Sequence, residues 1–374
     1  MRIKLGDVAQ ECRETIKGNK HGLSVVGLEH LAPSEVTLSG WSVDGDNTFT
    51  KAFHKGQMLF GRRRAYLKKA ALAPFDGICS GDITVIESKH DKLLPELLPF
   101  IIQNDTFFDF AVGKSAGSLS PRAKWEHLRE FEFELPSIAE QRKLADLLWA
   151  ANATREAYKK LLAVTDELVK SQFVEEVERC FADGNYAPLN DLIQQDRPIT
   201  YGILKPGTGF VGGIPVVKVK DFPNGYIDQS DLLLTSPEID ANYKRSKLLP
   251  GDLLISIRGT VGRLAEVPET LEGANITQDT ARLSIKPAFN RLFVRGVLET
   301  PVMQNKMQEL IRGVAVKGIN IGDVRKLPIP QPSEAKQNHL ADVYRAADKS
   351  KFALQRTIDD LEATYKAFLR EKLG

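Results

Sequence analysis

The chain has 374 residues, 42% of them hydrophobic and 27% charged, with a formal net charge of +2. That length allows two or three domains, each with its own core. The near-neutral charge excludes a uniformly basic or acidic chain while leaving local patches open. Cys12, Cys79 and Cys180 lie far apart without a CxxC pair, which argues against a disulfide framework or a thiolate zinc site and fits a reducing compartment. MRIKLGDVAQ carries no apolar leader core, and no apolar run approaches 18 residues; a cytoplasmic location is expected.

In chain order, the first distinctive stretch is basic. Between 55 and 72 come Lys55, Arg62, Arg63, Arg64, Lys68 and Lys69, with Tyr66 among them and no acidic residue. Such a strip suits a polyphosphate backbone, and its arginines suit guanine edges. DITVIES (82–88) is a β-branched strand candidate, and LPELLPFIIQNDTFFDFAV reads as helix. KSAGSLSPRAK (114–124) is a basic, flexible segment offering Lys114, Ser118 and Lys124. The alternation of REFEFELP then leads into PSIAEQRKLADLLWAAN (136–152). There Ser137 and Glu140 form a Ser-x-x-Glu capping box. No Pro or Gly follows before Gly184, so a helix of about 44 residues, roughly 65 Å, is expected.

The second half offers RPITYGILKPG (197–207) with Thr200 and Tyr201, and VKVKDF (217–222), read as strand, with Lys218 and Lys220. DLLISIRG (252–259) is the next strand, continuing into SIRGTVGR with Arg258 and Thr260. NRLFVRGVLETPVMQNKMQELIRG reads as helix, and RGVAVKGIN (312–320) supplies Lys317.

The helix opening then returns. PSEAKQNHLADVYRAAD (332–348) matches PSIAEQRKLADLLWAAN at nine of seventeen positions, at a constant offset of 196. In the same register Gly117 falls on Gly313, Arg129 on Arg325, Phe131 on Leu327 and Phe133 on Ile329. Across a small indel, residues 55–88 parallel 250–286, pairing Gly56 with Gly251, Arg63 with Arg258 and Asp82 with Asp279. The chain is therefore a duplicated unit: a globular module at 1–135, a long helix at 136–183, a second module at 184–331 and a second long helix at 332–374. The modules read as mixed α/β, an α+β fold rich in strand.

Seven-residue spacing in the second helix joins Leu340, Ala347, Leu354, Leu361 and Phe368. In the first it joins Leu144, Ala151, Tyr158, Thr165 and Gln172, with Leu147, Leu161 and Leu168 on the neighbouring position. A long helix must bury such a stripe. The shared register favours an antiparallel two-helix coiled coil with internal pseudo-two-fold symmetry; the alternative is two surface helices, each on its own module. Two diverged modules on a helical rod suit a target with two separated, different parts.

Three motifs invite chemistry and are declined. GTGFVG (207–212) matches G-x-G-x-x-G but runs into GIPVVKV, a strand, where a dinucleotide site needs a helix. GKS (113–115) lacks the earlier glycine of a phosphate loop, since Phe108 stands there. Asp76, Glu87 and Lys89 have the spacing of a metal-dependent nuclease, but Glu87 corresponds to Ser284 in the second copy. The six histidines show no metal-ligand spacing. No catalytic residue and no metal ligand is assigned.

LPSIAEQRKLADLL and QPSEAKQNHLADVY resemble the P-x-x-E-Q helix openings of type I restriction-modification specificity (S) subunits. YGILKPG followed by VVKVKDF resembles that family's second-module opening. Lys336 stands where the pattern has Glu, so the second copy lacks the carboxylate half of the capping box. The resemblance covers essentially the whole chain. It implies two target-recognition domains alternating with two long helices, and a non-catalytic protein bound to double-stranded DNA. It also implies two methyltransferase subunits that bring S-adenosylmethionine, and two restriction subunits that bring ATP and Mg²⁺. The cofactors would belong to those partners, none to this chain, and no membrane is implied. The rival expectation is a coiled-coil scaffold that does not bind DNA.

Overall fold

The computed structural model describes residues 2–16, 18, 20–43, 47–89, 92–117, 120–223, 225–313 and 317–373. It divides into two units, Met1–Lys160 with Leu354–Gly374, and Leu161–Ala353. Each holds one globular module, the leading part of one long helix and the trailing part of the other.

In unit 1, strand Arg2–Lys4 pairs antiparallel with Glu132–Glu134 just ahead of the helix opening. A four-stranded antiparallel sheet runs in the order Ala9–Cys12, Ile83–Ser88, Met58–Gly61, Ala70–Leu72. Successive side chains alternate faces, and both faces are covered. Met58, Phe60 and Ile86 enter a core with helices Leu98–Ile102 and Asp105–Gly113. Leu59, Ile83 and Val85 enter another with Val26, Phe53 and Cys79 of the second sheet. That sheet orders Ser42–Val43, Ser24–Val26, Gly77–Cys79, Lys51–Phe53, with one parallel pair, Ser24–Val26 on Gly77–Cys79.

Unit 2 repeats the scheme. Tyr186–Pro188 pairs with Pro328–Pro330. A four-stranded sheet orders Thr200–Tyr201, Thr280–Leu283, Leu253–Ser256, Leu264–Glu266. A three-stranded sheet again has one parallel pair, Ile214–Val217 on Asn275–Ile276. The mixed fold and the internal repeat are thus present at the level of strand pairing.

Two expectations need correction. VKVKDF is strand only to Val217; Val219–Asp221 is a 3₁₀ turn, because the Asp221 carboxylate accepts the Lys218 N–H at 2.8 Å and folds the chain back. The helix expected ahead of each long-helix opening is two: Leu98–Ile102 and Asp105–Gly113 in unit 1, and Arg291–Glu299 and Pro301–Glu309 in unit 2. Pro301 has no N–H to continue the first, and the Thr300 hydroxyl caps the second by accepting the Met303 N–H. Asn104, 196 residues earlier, caps the corresponding helix in unit 1.

The long helices run Ile138–Ala182 and Glu334–Leu373, 45 and 40 residues. Ser137 and Glu140 make the capping box: the Ser137 N–H donates to Glu140 Oε2 at 3.0 Å and the Glu140 N–H to Ser137 Oγ at 3.4 Å. The repeated glutamine locks each opening. Gln141 donates to the Pro136 carbonyl at 3.0 Å, and Gln337 to the Pro332 carbonyl at 3.1 Å.

In unit 1, Leu148, Leu369 and Leu373 are buried in one core, with Leu144 and Phe368 packed against it. Arg155, 5% exposed, lies 3.9 Å from Glu362 across the helix pair and donates to the Ser34 carbonyl. In unit 2, Val169, Phe173 and Val177 pack with Leu340, Ala341 and Tyr344, and Lys351 reaches Asp166 at 2.8 Å. Leading and trailing helix halves therefore pair antiparallel within each unit. Leu354 and Leu361 are half-buried in the seam.

The neighbouring register position is corrected. Leu147, Leu161 and Leu168 are 54%, 50% and 59% exposed. The seam follows the Ala151, Tyr158, Thr165 line together with the position four residues on from each, giving Arg155, Leu162 and Val169, all half-buried or buried.

Candidate nucleic-acid interface

Each unit closes the end of its four-stranded sheet with a clasp between the loop after the third strand and the segment before the long helix. In unit 1 the Arg62 N–H donates to the Asp82 carbonyl at 3.0 Å, Ala123 N–H to Arg62 O at 2.9 Å and Arg64 N–H to Pro121 O at 2.8 Å. Ala116 and Arg122 exchange backbone bonds at 3.2 and 3.0 Å. In unit 2 Ile257 N–H donates to Asp279 O at 2.8 Å, Ile319 N–H to Ile257 O at 2.9 Å and Gly259 N–H to Lys317 O at 3.2 Å. Arg312 and Gly318 exchange bonds at 2.9 and 3.0 Å. Bond for bond, the two clasps are one backbone construction.

Their side chains differ. Unit 1 places Arg62, Arg63, Arg64 and Arg122 where unit 2 has Ile257, Arg258, Gly259 and Gly318. Asp82 organises the arginines. It accepts from Arg122 Nε at 2.8 Å and lies 3.7 Å from Arg63 and 4.0 Å from Arg62. The Arg122 hydrogen bond, with the charges of Arg122, Arg62 and Arg63, holds its carboxyl below the usual carboxylate range. Three guanidiniums around one carboxylate leave the clasp positively charged, which favours an anion. Arg258, Thr260 and Lys317 are exposed at the unit 2 clasp.

The other candidates divide. Lys68 binds Asp105 at 2.6 Å, on the turn that follows Arg64 and carries the exposed Tyr66. Lys114 lies over the Phe110 ring, and Lys124 precedes the short helix Trp125–Leu128, both exposed beside the clasp segment. Thr200 and Tyr201 form the edge strand that leads to Ile203, whose carbonyl accepts from Gln278 next to Asp279. Lys55 is in the turn at the opposite end of strand Met58–Gly61 from Arg62. Lys69 is turned onto the Leu28 carbonyl. Lys218 precedes the 3₁₀ turn and Lys220 lies within it, near Asp221 and Asp231; neither belongs to a clasp. Ser118 lies outside the described residues. Asp82 and Arg122 were not singled out by sequence; the pairing of Asp82 with Asp279 in the repeat was the available signal.

The declined motifs stay apart. Asp76 accepts the Lys55 N–H, Glu87 is held by Gln10 and Gln57, and Lys89 donates to the Gly6 carbonyl. The 207–212 loop runs into strand Ile214–Val217. Among the described residues no group of three or more His, Cys, Asp or Glu could hold a metal ion. No described helix is long and apolar enough to cross a membrane.

Two modules of matching strand order, the second one strand shorter, each ending in the same backbone clasp and each packed with a pair of long-helix halves, define a duplicated two-module protein. Two solved structures share this architecture over the whole chain. The S subunit of a type I restriction-modification system from M. genitalium has a TM-score of 0.59 at 10% identity, covering 100% of this chain and 96% of that one. A chain from a structure of complex assembly and conformational transition in the type I R-M system has a TM-score of 0.51 at 18% identity, covering 100% and 97%. The chain thus has the fold of type I restriction-modification specificity subunits. In sequence it is 35% identical over 157 residues to the type I restriction enzyme EcoBI specificity subunit of Escherichia coli, covering 41% of this chain and 32% of that protein. It is 29% identical over 154 residues to the EcoDI specificity subunit of Escherichia coli, covering 38% and 34%. The match spans about a third of the length of these relatives. No family model matches the chain. The resemblance carried by the two helix openings is borne out by both comparisons.

Proposed function

We propose that this chain is the non-catalytic specificity subunit of a type I restriction-modification system. It binds double-stranded DNA at a bipartite, asymmetric target, one part per module, with a fixed gap between them. One observation carries the reading. The two clasps share their main-chain hydrogen bonds yet present different side chains, the exposed Arg64 and Arg122 against Gly259 and Gly318. One frame displaying two surfaces suits two different sequences, with phosphate contacts fixing position and side chains reading base edges. The partners in this reading are two methyltransferase subunits, which carry S-adenosylmethionine, and in the full complex two restriction subunits, which use ATP and Mg²⁺. No cofactor belongs to this chain. The exposed Leu161, Val164 and Leu168 of the first long helix are the apolar surface assigned to a methyltransferase subunit.

The test is a selection from random double-stranded DNA with the chain co-expressed with a methyltransferase subunit. Two short, different sequences at a fixed gap are expected. A single contiguous motif would mean that one module reads alone. No enrichment would favour a scaffold that does not bind DNA.

A further inference from the structure

We infer that the turn between Arg64 and Lys68 is a projecting recognition tip of unit 1, and that the Arg64 guanidinium reads a base edge in the half-site unit 1 takes. This rests on the DNA-binding reading above.

The turn is built at a conformational cost. Arg64 and Lys68 have φ of 56° and 51°, left-handed at both ends of the 3₁₀ segment Ala65–Leu67. A side chain in that region is strained, which is why glycine is the usual occupant. Unit 2 makes the comparison internally. Arg64 N–H to Pro121 O corresponds to Gly259 N–H to Lys317 O, and Gly61 N–H to Lys69 O corresponds to Ser256 N–H to Arg263 O. Between these shared bonds unit 2 has its own two left-handed residues, Gly259 at 70° and Gly262 at 91°. Where one copy uses glycine twice, the other uses two cations. A Cβ at Gly259 would meet nothing within 4 Å, so steric room does not dictate the glycine; the backbone conformation does. Strained side chains persist where the side chain itself is used.

The two cations have different tasks. Lys68 is tied to Asp105 at 2.6 Å, which pins the turn to helix Asp105–Gly113. Arg63 is held by Ser120 Oγ at 2.6 Å and lies 3.7 Å from Asp82, while Arg122 grips Asp82. Arg64 is exposed and makes no ion pair among the described residues. Beside it Tyr66 and Leu67 are 54% and 40% exposed. Phosphate contact suits the Asp82 cluster, where the Arg63 and Arg122 guanidiniums are exposed beside the carboxylate. A guanidinium flanked by an aromatic ring and a leucine fits a groove instead, where its planar fork matches guanine O6 and N7 and the apolar groups meet sugar or a thymine methyl.

The test repeats the DNA selection with the full chain and its co-expressed methyltransferase subunit, comparing parent, Arg64→Gly and Arg64→Lys. Arg64→Gly suits the backbone, so its melting temperature should equal or exceed the parent's. Both variants should lose about tenfold discrimination, about 1.4 kcal/mol, at one or two adjacent base pairs of one half-site, leaving the other half-site unchanged. If the parent selects two half-sites and Arg64→Gly selects the same two with undiminished preference, Arg64 does not read and the inference falls while the function stands. Uniform weakening across all sequences by Arg64→Gly, with Arg64→Lys behaving as parent, makes Arg64 a phosphate contact and also overturns it. A parent that selects nothing removes the DNA-binding reading and this inference together.

Discussion

Phe173→Ala should weaken unit 2 while leaving unit 1 nearly untouched. Phe173, on the trailing half of the first long helix, is 1% exposed. It lies 6.0 Å from the Phe293 ring, stacked, and 6.0 Å from the Tyr344 ring, edge-on. It therefore joins that helix to the module and to the second helix at one point. The packing is close enough that a Cβ on Gly296 would come within 2.4 Å of Phe173 Cε1. Truncating a buried Phe costs about 3–5 kcal/mol through lost transfer energy and the cavity left behind. For a unit of this size that lowers the melting temperature by roughly 10 °C. The assay uses the distribution of tryptophans: Trp41, Trp125 and Trp149 all belong to unit 1. Far-UV circular dichroism follows both units, whereas tryptophan fluorescence follows unit 1. The dichroism transition should split or shift down, with the fluorescence midpoint moving less. Gly296→Ala alone should also destabilise, because a rigid ring blocks the new methyl. In the Phe173→Ala background the same methyl should cost little or help by filling the cavity, giving a coupling on the order of 1 kcal/mol or more. Additive effects of the two changes, or an unmoved dichroism transition, would refute the packing argument.

Two further outcomes are expected. Leu161→Glu with Leu168→Glu changes residues 50% and 59% exposed, so helix content and melting should stay as in the parent; co-purification with a methyltransferase subunit should be lost. Retained co-purification would place the docking surface elsewhere. His54 is hydrogen-bonded to Glu14 at 3.0 Å and lies 3.5 Å from Asp76, the first contact being the larger cause of its raised pKa. A raised folded pKa gives stabilisation that is full below the ordinary histidine value and is lost as pH rises through the folded one. Unit 1 unfolding, read by fluorescence, should therefore lose a small increment of stability as pH rises above the ordinary histidine value, an increment that His54→Gln lacks; identical pH profiles would remove the histidine from the account.

The features legible in the sequence were those with local causes. Ser137, Glu140 and the absence of Pro or Gly before Gly184 fixed the first long helix, and the 196-residue register exposed the repeat. The second position of the seam was not legible. Leu147, Leu161 and Leu168 sit three residues after the Leu144 line, and hydrophobicity alone prefers them to the position four residues after it, which holds Arg155. What buries Arg155 is the Ser34 carbonyl, 121 residues away, and no local pattern announces such a partner. The structure divides the basic strip. Lys55 and Arg62 flank opposite ends of the four-residue strand Met58–Gly61, and at about 3.3 Å per residue only the Arg62 end lies at the clasp. The Asp82 cluster joins residues about 20 to 60 positions apart, so only its repetition with Asp279 hinted at it.

Comparing the copies separates what holds the fold from what it displays. Both copies keep a buried glutamine on the proline carbonyl, Gln141 on Pro136 and Gln337 on Pro332. Both keep a polar cap at the helix break, Asn104 and Thr300. Both keep a cation and an anion across the helix pair, in the same order: Arg155 faces Glu362 in unit 1, and Lys351 faces Asp166 in unit 2. Arg155 and Lys351 are related by the 196-residue register, as are Asp166 and Glu362. Each of these contacts satisfies a backbone group or a partly buried charge, and losing one partner would leave the other unpaired at a cost of 1–3 kcal/mol or more, in the usual range of about that size. Exposed clasp positions carry no such penalty, and there the copies part: Arg64 stands against Gly259, and the exposed Arg122 against the half-buried Gly318. A scaffold has no use for two unlike surfaces mounted on identical main-chain bonds. A protein that must tell two half-sites apart does, because specificity is a difference in side-chain contacts presented from a frame that does not move.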